Sequence, residues 1–267
     1  MIVIPMAGLS QRFAQAGYDR PKFMLQAHGR SVFAHAVSTF AAYFNTETFV
    51  FILRNVNGAA KFVRNEAAAL GIRNGNIVFV EATRGQAETV DQGLAWSRIA
   101  PNESLTIFNI DTFRPGFRYP LEIPRSVDGY LEVFEGEGAN WSYVRPREGE
   151  PGHVAETAEK RAISNLCCTG LYYFGTRALF RDAYRRALSD FSSAGGPGEL
   201  YVAPLFNTLI QDGRDVRYHV IPRKDVIFCG VPDEYEAFAS GPPPAEANRG
   251  VQPSWPGREA VIDVDAD

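Results

Sequence analysis

A chain of 267 residues is long enough for one large domain or two small ones with a sizeable core, and 45% apolar with 22% charged content is ordinary for a globular protein. A formal net charge of −4 argues against general nucleic-acid or membrane-surface binding, so cations that meet an anionic ligand must be gathered locally. No apolar run approaches the ~18 residues of a membrane span, no signal-peptide pattern is visible, and three cysteines without a C-x-x-C pair fit reduced, buried thiols in a cytoplasmic protein.

In chain order, MIVIPMA (1–7) reads as a buried strand, and SVFAHAVSTFAAYF (31–44) carries a helical stripe of Val32, Phe33, Ala36, Val37, Phe40 and Phe44. ETFVFIL (47–53) is a second strand, and GAAKFVRNEAAALG (58–71) is a helix with Gly71 at its C-cap. NIVFVEA (76–82) is a third strand, AETVDQGLAWSRIA (87–100) a helix and ESLTIFNID (103–111) a fourth strand. That alternation predicts an α/β fold with a largely parallel, doubly wound, Rossmann-like sheet whose ligand lies beyond the carboxyl ends of the strands.

The second half changes character. Strand-like stretches at 128–135, 140–146, 162–174, 216–222 and 225–230 lie closer together, with amphipathic helices over 176–191 and 199–213 and a last helix over 232–239. We read them as a mixed extension of the same sheet, so that residues 1–240 form a single domain. About 1–112 would be its nucleotide-binding half and 113–240 its acceptor-binding half. Residues 241–267 are rich in proline, glycine and acid and are expected to form a tail, with AVIDVDAD (260–267) a short strand or a frayed end.

The first strand runs into Ala7-Gly8, where small residues leave backbone groups open to an anion or a base edge. Arg12 follows, with a guanidinium able to fork two phosphate oxygens, and Lys22 sits behind the stiff Pro21 as a point charge. A glycine turn with two solvated cations is the bland alternative. The stretch MAGLSQRFAQAGYDRPKFML (6–25) resembles the N-terminal motif of the sugar-phosphate nucleotidyltransferases, or nucleotide-sugar pyrophosphorylases. It is most similar to the small versions found in bacterial capsule and surface-polysaccharide gene sets. The resemblance extends in islands over roughly 1–240 and implies a nucleotidyltransferase, GT-A-like fold. It also implies that Ala7 and Gly8 hold the base through backbone groups, Arg12 neutralises the β and γ phosphates and Lys22 the α-phosphate.

TRGQAETV (83–90) stands at a helix N-terminus, where amides and the helix dipole favour a polar ligand. Gln86 has the donor and acceptor that reading a base edge needs. The resemblance makes Gly85 and Gln86 the base-side candidates; a helix cap with a solvated glutamine competes. Asp111 ends an apolar strand and is able to hold a Mg²⁺ that bridges phosphates, matching the family's metal-binding aspartate. The family's second metal carboxylate, in a W-x-D-x-G-T-P segment, aligns here with Phe228, a departure that leaves Asp225 as a possible substitute. Glu159-Lys160 resembles the family's V-E-K element, in which the Glu meets sugar hydroxyls and the Lys the acceptor phosphate. Thr169-Gly170 resembles its N/T-G turn over the sugar. His28, His35, His153 and His219 show no metal-ligand spacing.

The expected reaction joins an NTP to a sugar phosphate with release of pyrophosphate, using Mg²⁺ as cofactor and no nucleic acid or membrane partner. A homo-oligomer is compatible with it. Three alternatives stay open: transfer to a non-sugar phosphate, a glycosyltransferase consuming an NDP-sugar, and nucleotide binding without chemistry. The single carboxylate of NIDTF disfavours the second, which usually carries a D-x-D motif.

Overall fold

Four consecutive buried residues form β1 (Ile2–Pro5), and their alternation divides the core in two. Ile2 and Ile4 enter one apolar cluster and Val3 the other, as a strand covered on both faces requires. The computed structural model describes residues 1–56, 58–95, 99–123, 126–193 and 198–244. The tail expected over 241–267, with its closing strand, therefore lies from residue 245 on outside the described residues.

A short α1 (Gln11–Gln15) follows β1, and β2 (Gln26–Ala27) and β3 (Arg30–Ser31) pair as a small hairpin. The stripe expected over 31–44 is split. The helix α2 covers Val32–Val37 with Ser31 as its N-cap, accepting from the Ala34 amide at 3.0 Å. Ser38–Tyr43 then tighten into a 3₁₀ helix interrupted at Phe40, φ −99° and ψ 25°. Next come β4 (Phe49–Leu53), α3 (Ala59–Ala69), β5 (Gly75–Phe79), α4 (Gln86–Ala95) and β6 (Leu105–Phe108). Gly71, at φ 83°, follows the end of α3 as expected.

Strands β6, β1, β4 and β5 lie side by side in that order, all parallel. Side chains of α2 and α3 share a cluster with Ile2, Ile4, Phe49 and Phe51. Those of α4 join Val3, Val50 and Ile52 on the other face. The expected doubly wound arrangement is present, and parallel pairing brings the carboxyl ends of all four strands to one edge.

The second half adds β7 (Thr112–Phe113), β8 (Gly129–Glu135), β9 (Ser142–Pro146), β10 (Val154–Glu159) and β11 (Leu166–Phe174). Then follow α5 (Arg177–Ser193), α6 (Phe206–Gln211), β12 (Val216–Ile221), β13 (Ile227–Phe228) and α7 (Pro232–Ser240). The strand β10 has no counterpart in the sequence reading; it pairs antiparallel with β9. The helix expected over 199–213 is shorter, because Pro204 is tolerated only in a first turn. A 3₁₀ turn over Ala203–Leu205 leads into α6.

The strand β11 joins the halves. Leu171–Phe174 pair with β6, Leu166–Cys168 and Tyr172–Phe174 with β8, and Cys167 meets Tyr143 of β9. One nine-stranded mixed sheet therefore runs through the molecule. Cys167, Cys168 and Cys229 are buried and free. Among the described residues no helix is long and apolar enough to cross a membrane.

Candidate active site

At the carboxyl edge of β1 the Met6 amide still bonds the Ile52 carbonyl at 2.8 Å, after which the chain leaves the sheet. Ala7 is buried, Gly8 and Leu9 are exposed, and Ser10, at φ 51°, turns the chain into α1. A side-chain carbon at Gly8 would meet nothing within 4 Å, so this glycine leaves open space and relieves no clash. A cavity of about 340 Å³ adjoins the turn, with Ala7, Gly8, Ser10, Arg20, Pro21 and Arg54 in its wall.

The Ser10 hydroxyl accepts from the Lys22 amide at 3.4 Å, tying the turn to the Pro21-Lys22 segment. The Lys22 ammonium donates to Asp111 Oδ2 across the end of the sheet. Two residues 89 positions apart, both read from the sequence, thus meet between β1 and β6. Arg12 is exposed on α1, pairs with no carboxylate among the described residues and does not line the cavity.

On the base side, Gly85 has φ 140°, and a Cβ there would stand 2.6 Å from the Leu200 backbone. That crowding comes from two bonds, Leu200 N–H to Arg84 O at 2.8 Å and Ala87 N–H to Leu200 O at 2.9 Å. Gln86 opens α4 and donates to Asn109 Oδ1 at 2.6 Å. Asn109 in turn donates its amide to the Gly170 carbonyl at 3.1 Å. Gly170 has φ 96°, and a Cβ would lie 2.5 Å from Asn109 Nδ2. Gln86, Asn109 and Gly170 therefore form one contact, whose middle member the sequence reading missed. Gly170→Ala should cost on the order of 1–3 kcal/mol through its strained backbone and should push Asn109 off Gln86. A lowered melting temperature with weakened nucleotide binding would be the result; unchanged melting would contradict it.

The Thr169 hydroxyl turns away from this edge, donating at 3.2 Å to Oε1 of Glu132, which is 1% exposed. The same oxygen pairs with Arg114 Nε at 2.9 Å, and Arg114 Nη1 reaches the Asp225 carbonyl at 3.2 Å. This buried ionic cluster links β8, β11 and the loop after β7 to the turn that precedes β13.

On the acceptor side, Glu159 ends β10 and accepts from the Ser142 hydroxyl. Burial raises its carboxyl above the ordinary value, with the Ser142 bond opposing. A raised folded-state value gives stability that is full below the ordinary glutamate range and is lost as pH rises through the raised one. Glu159→Gln should therefore gain melting temperature relative to the wild type on going from pH 4 to pH 7, and parallel melting curves would refute this. Lys160, at φ 54°, donates to the Tyr201 hydroxyl and lies 4.6 Å over its ring, with Glu199 at 4.0 Å. The Tyr201 bond chiefly holds its pKa above the ordinary lysine value.

The strand β13 lies antiparallel to β7, with Phe228 opposite Thr112 and Ile227 opposite Phe113. This register puts Cys229 beside Asp111, and the Cys229 amide bonds the Asp111 carbonyl at 2.8 Å. Asp225 belongs to the 3₁₀ turn before β13, so the register does not carry it to Asp111. Phe228 packs 4.6 Å from Trp141 and 5.3 Å from Phe134. Asp111 Oδ2 and Glu234 Oε2 lie 3.2 and 3.5 Å from where a Gly230 side-chain carbon would stand. The missing side chain leaves a gap between two carboxylate oxygens, a donor set that fits a hard divalent cation. Burial, then the Asp111 and Glu234 charges, push the Cys229 thiol up to about 12, while Lys22 opposes them. Among the described residues no three His, Cys, Asp or Glu side chains form a closed metal cage.

No protein-family model matches the chain. The crystal structure of the nucleoside-diphosphate-sugar pyrophosphorylase from Vibrio cholerae RC9 is similar at 51% identity and a TM-score of 0.85, covering 90% of this chain and 100% of that one. The inositol-1-phosphate CTP transferase from T. maritima shares the fold at 15% identity and a TM-score of 0.64, covering 87% of this chain and 90% of that one. The bifunctional protein GlmU of Corynebacterium efficiens is 23% identical over 98% of this chain, which spans 53%, about half, of that relative's length.

Proposed function

The chain belongs to the nucleoside-diphosphate-sugar pyrophosphorylase family of nucleotidyltransferases, and from that premise we propose that it transfers a nucleotidyl group from an NTP to a sugar phosphate. The products are an NDP-sugar and pyrophosphate. The single observation that carries this reading is the Lys22–Asp111 pair at the carboxyl edge of β1 and β6, beside the open turn at Gly8. It supports the division of labour in which residues 1–112 seat the nucleotide and 113–240 the acceptor.

An acceptor phosphate oxygen attacks the α-phosphorus, the bond from that phosphorus to the β-phosphate bridging oxygen breaks, and pyrophosphate departs with the electron pair. A phosphate monoester is already a nucleophile, so the protein's task is to position and to neutralise charge. Lys22 exchanges its Asp111 partner for the α-phosphate, and Arg12, exposed and free of a carboxylate, turns to the outer phosphates. Gln86, held by Asn109, offers its remaining polar groups to the base. Lys160 steers the acceptor phosphate, and Glu159 meets its hydroxyls. Asp111 would hold a Mg²⁺, which supplies further charge neutralisation on the nucleotide phosphates.

The three free cysteines suit a cytoplasmic setting, and the nucleotide sugar would feed assembly of a capsule or other surface polysaccharide. The protein is to be mixed with each of the four common NTPs, Mg²⁺ and a panel of sugar 1-phosphates, with phosphorylated amines and polyols alongside. Pyrophosphate release with a sugar phosphate is the expected result. Release only with a non-sugar acceptor would move the substrate class, and tight NTP binding with no release from any acceptor would overturn the reading.

A further inference from the structure

We infer that Glu234, from the first turn of α7, is the second protein carboxylate of the cation site. This deepens the preceding reading and rests on it. Three carboxylates or carboxylate positions compete for that role. Phe228 stands where the family's sequence pattern would put an aspartate, but its ring is committed to Trp141 and Phe134 and is only 9% exposed. Asp225 lies before β13 begins, and the β7–β13 register delivers Cys229 and Gly230, not Asp225, to Asp111.

Glu234 is the carboxylate that arrives there. Its Oε2 and Asp111 Oδ2 flank the empty position beside Gly230 at 3.5 and 3.2 Å. Glu234 is fixed in place by the amides of Gly230 and Val231, which donate to Oε2 at 2.8 and 3.3 Å. The N-terminal end of α7 tolerates its charge. The geometry thus moves one ligand from a strand to the following helix, and glycine at 230 keeps the space between the two oxygens clear.

The test is Mn²⁺ titration of the full chain, followed by electron paramagnetic resonance, in the presence of a non-hydrolysable NTP analogue. Glu234→Gln keeps an amide oxygen for the Gly230 and Val231 amides but loses the charge, and should weaken Mn²⁺ binding about tenfold or more. Gly230→Ala, which fills the gap and leaves both carboxylates in the chain, should weaken it too. Asp225→Asn should bind Mn²⁺ like the wild type. Wild-type affinity in Glu234→Gln or in Gly230→Ala, or a tenfold loss in Asp225→Asn, would overturn the assignment. If those outcomes occurred while the wild type still released pyrophosphate, the enzyme reading would stand and this inference alone would fall. A wild type that neither binds Mn²⁺ nor releases pyrophosphate would end both.

Discussion

Lys22→Ala is expected to lower kcat by on the order of 10²–10³-fold, equivalent to about 3–4 kcal/mol of transition-state stabilisation. The ammonium is placed by two independent devices. Pro21 and the Ser10 hydroxyl fix the backbone entering it, and Asp111 Oδ2 holds its head. Both side chains are about one-fifth exposed, at 22% and 19%, so the pair itself contributes only about 1 kcal/mol to folding. Loss of rate without loss of melting temperature is therefore the signature. Lys22→Arg should recover only part of the rate, because a planar fork cannot reproduce a compact charge against one carboxylate oxygen. Steady-state kinetics with saturating NTP would check this. Wild-type turnover in Lys22→Ala would remove the lysine from the chemistry.

Arg114→Ala should have the opposite signature: a large loss of stability from a residue not placed among the substrate-binding groups. The guanidinium is 13% exposed and Glu132 1% exposed, so truncation leaves a carboxylate deep in the sheet with Thr169 as its remaining side-chain donor. Breaking a buried pair in this way costs about 3–5 kcal/mol, or on the order of 10 °C in melting temperature for a domain of this size. The Asp225 carbonyl also loses its donor, which loosens the turn leading to β13. Replacing both partners, as in Arg114→Met with Glu132→Leu, should restore much of the loss, since it removes the charge that would be stranded. Thermal melting of the single and double variants would decide it. A single variant melting within about a degree of the wild type would show the pair to be dispensable.

The parallel half of the fold was legible because each of its strands is an unbroken apolar run between helical stripes, as FVFIL is between α2 and α3. The strand β10 was not, because VAETAE carries two glutamates and looks like a solvated turn; only pairing with β9 makes it a strand. The helix over 199–213 was overdrawn because its leucine and valine spacing suits a helix up to the point where Pro204 forbids one. In the site, Lys22 and Asp111 stood out as charges at the ends of apolar runs, and the fold brings them together. Asn109 and Glu234 did not. An uncharged amide after a strand resembles any turn residue, and an acid in the first turn of a helix resembles any dipole-stabilising one. Their meaning comes from Gly170 and Gly230, whose missing side chains admit them, and that is information about contacts between distant segments.

The strand β11 is hydrogen-bonded to β6 on one side and to β8 and β9 on the other. The two halves of the molecule thus share a backbone seam, and swinging one away from the other like a clamshell would tear that ladder. Substrates must enter and leave by local movement of the turns along the sheet edge, while the frame behind them stays closed. The same seam makes the halves melt together, in one cooperative step.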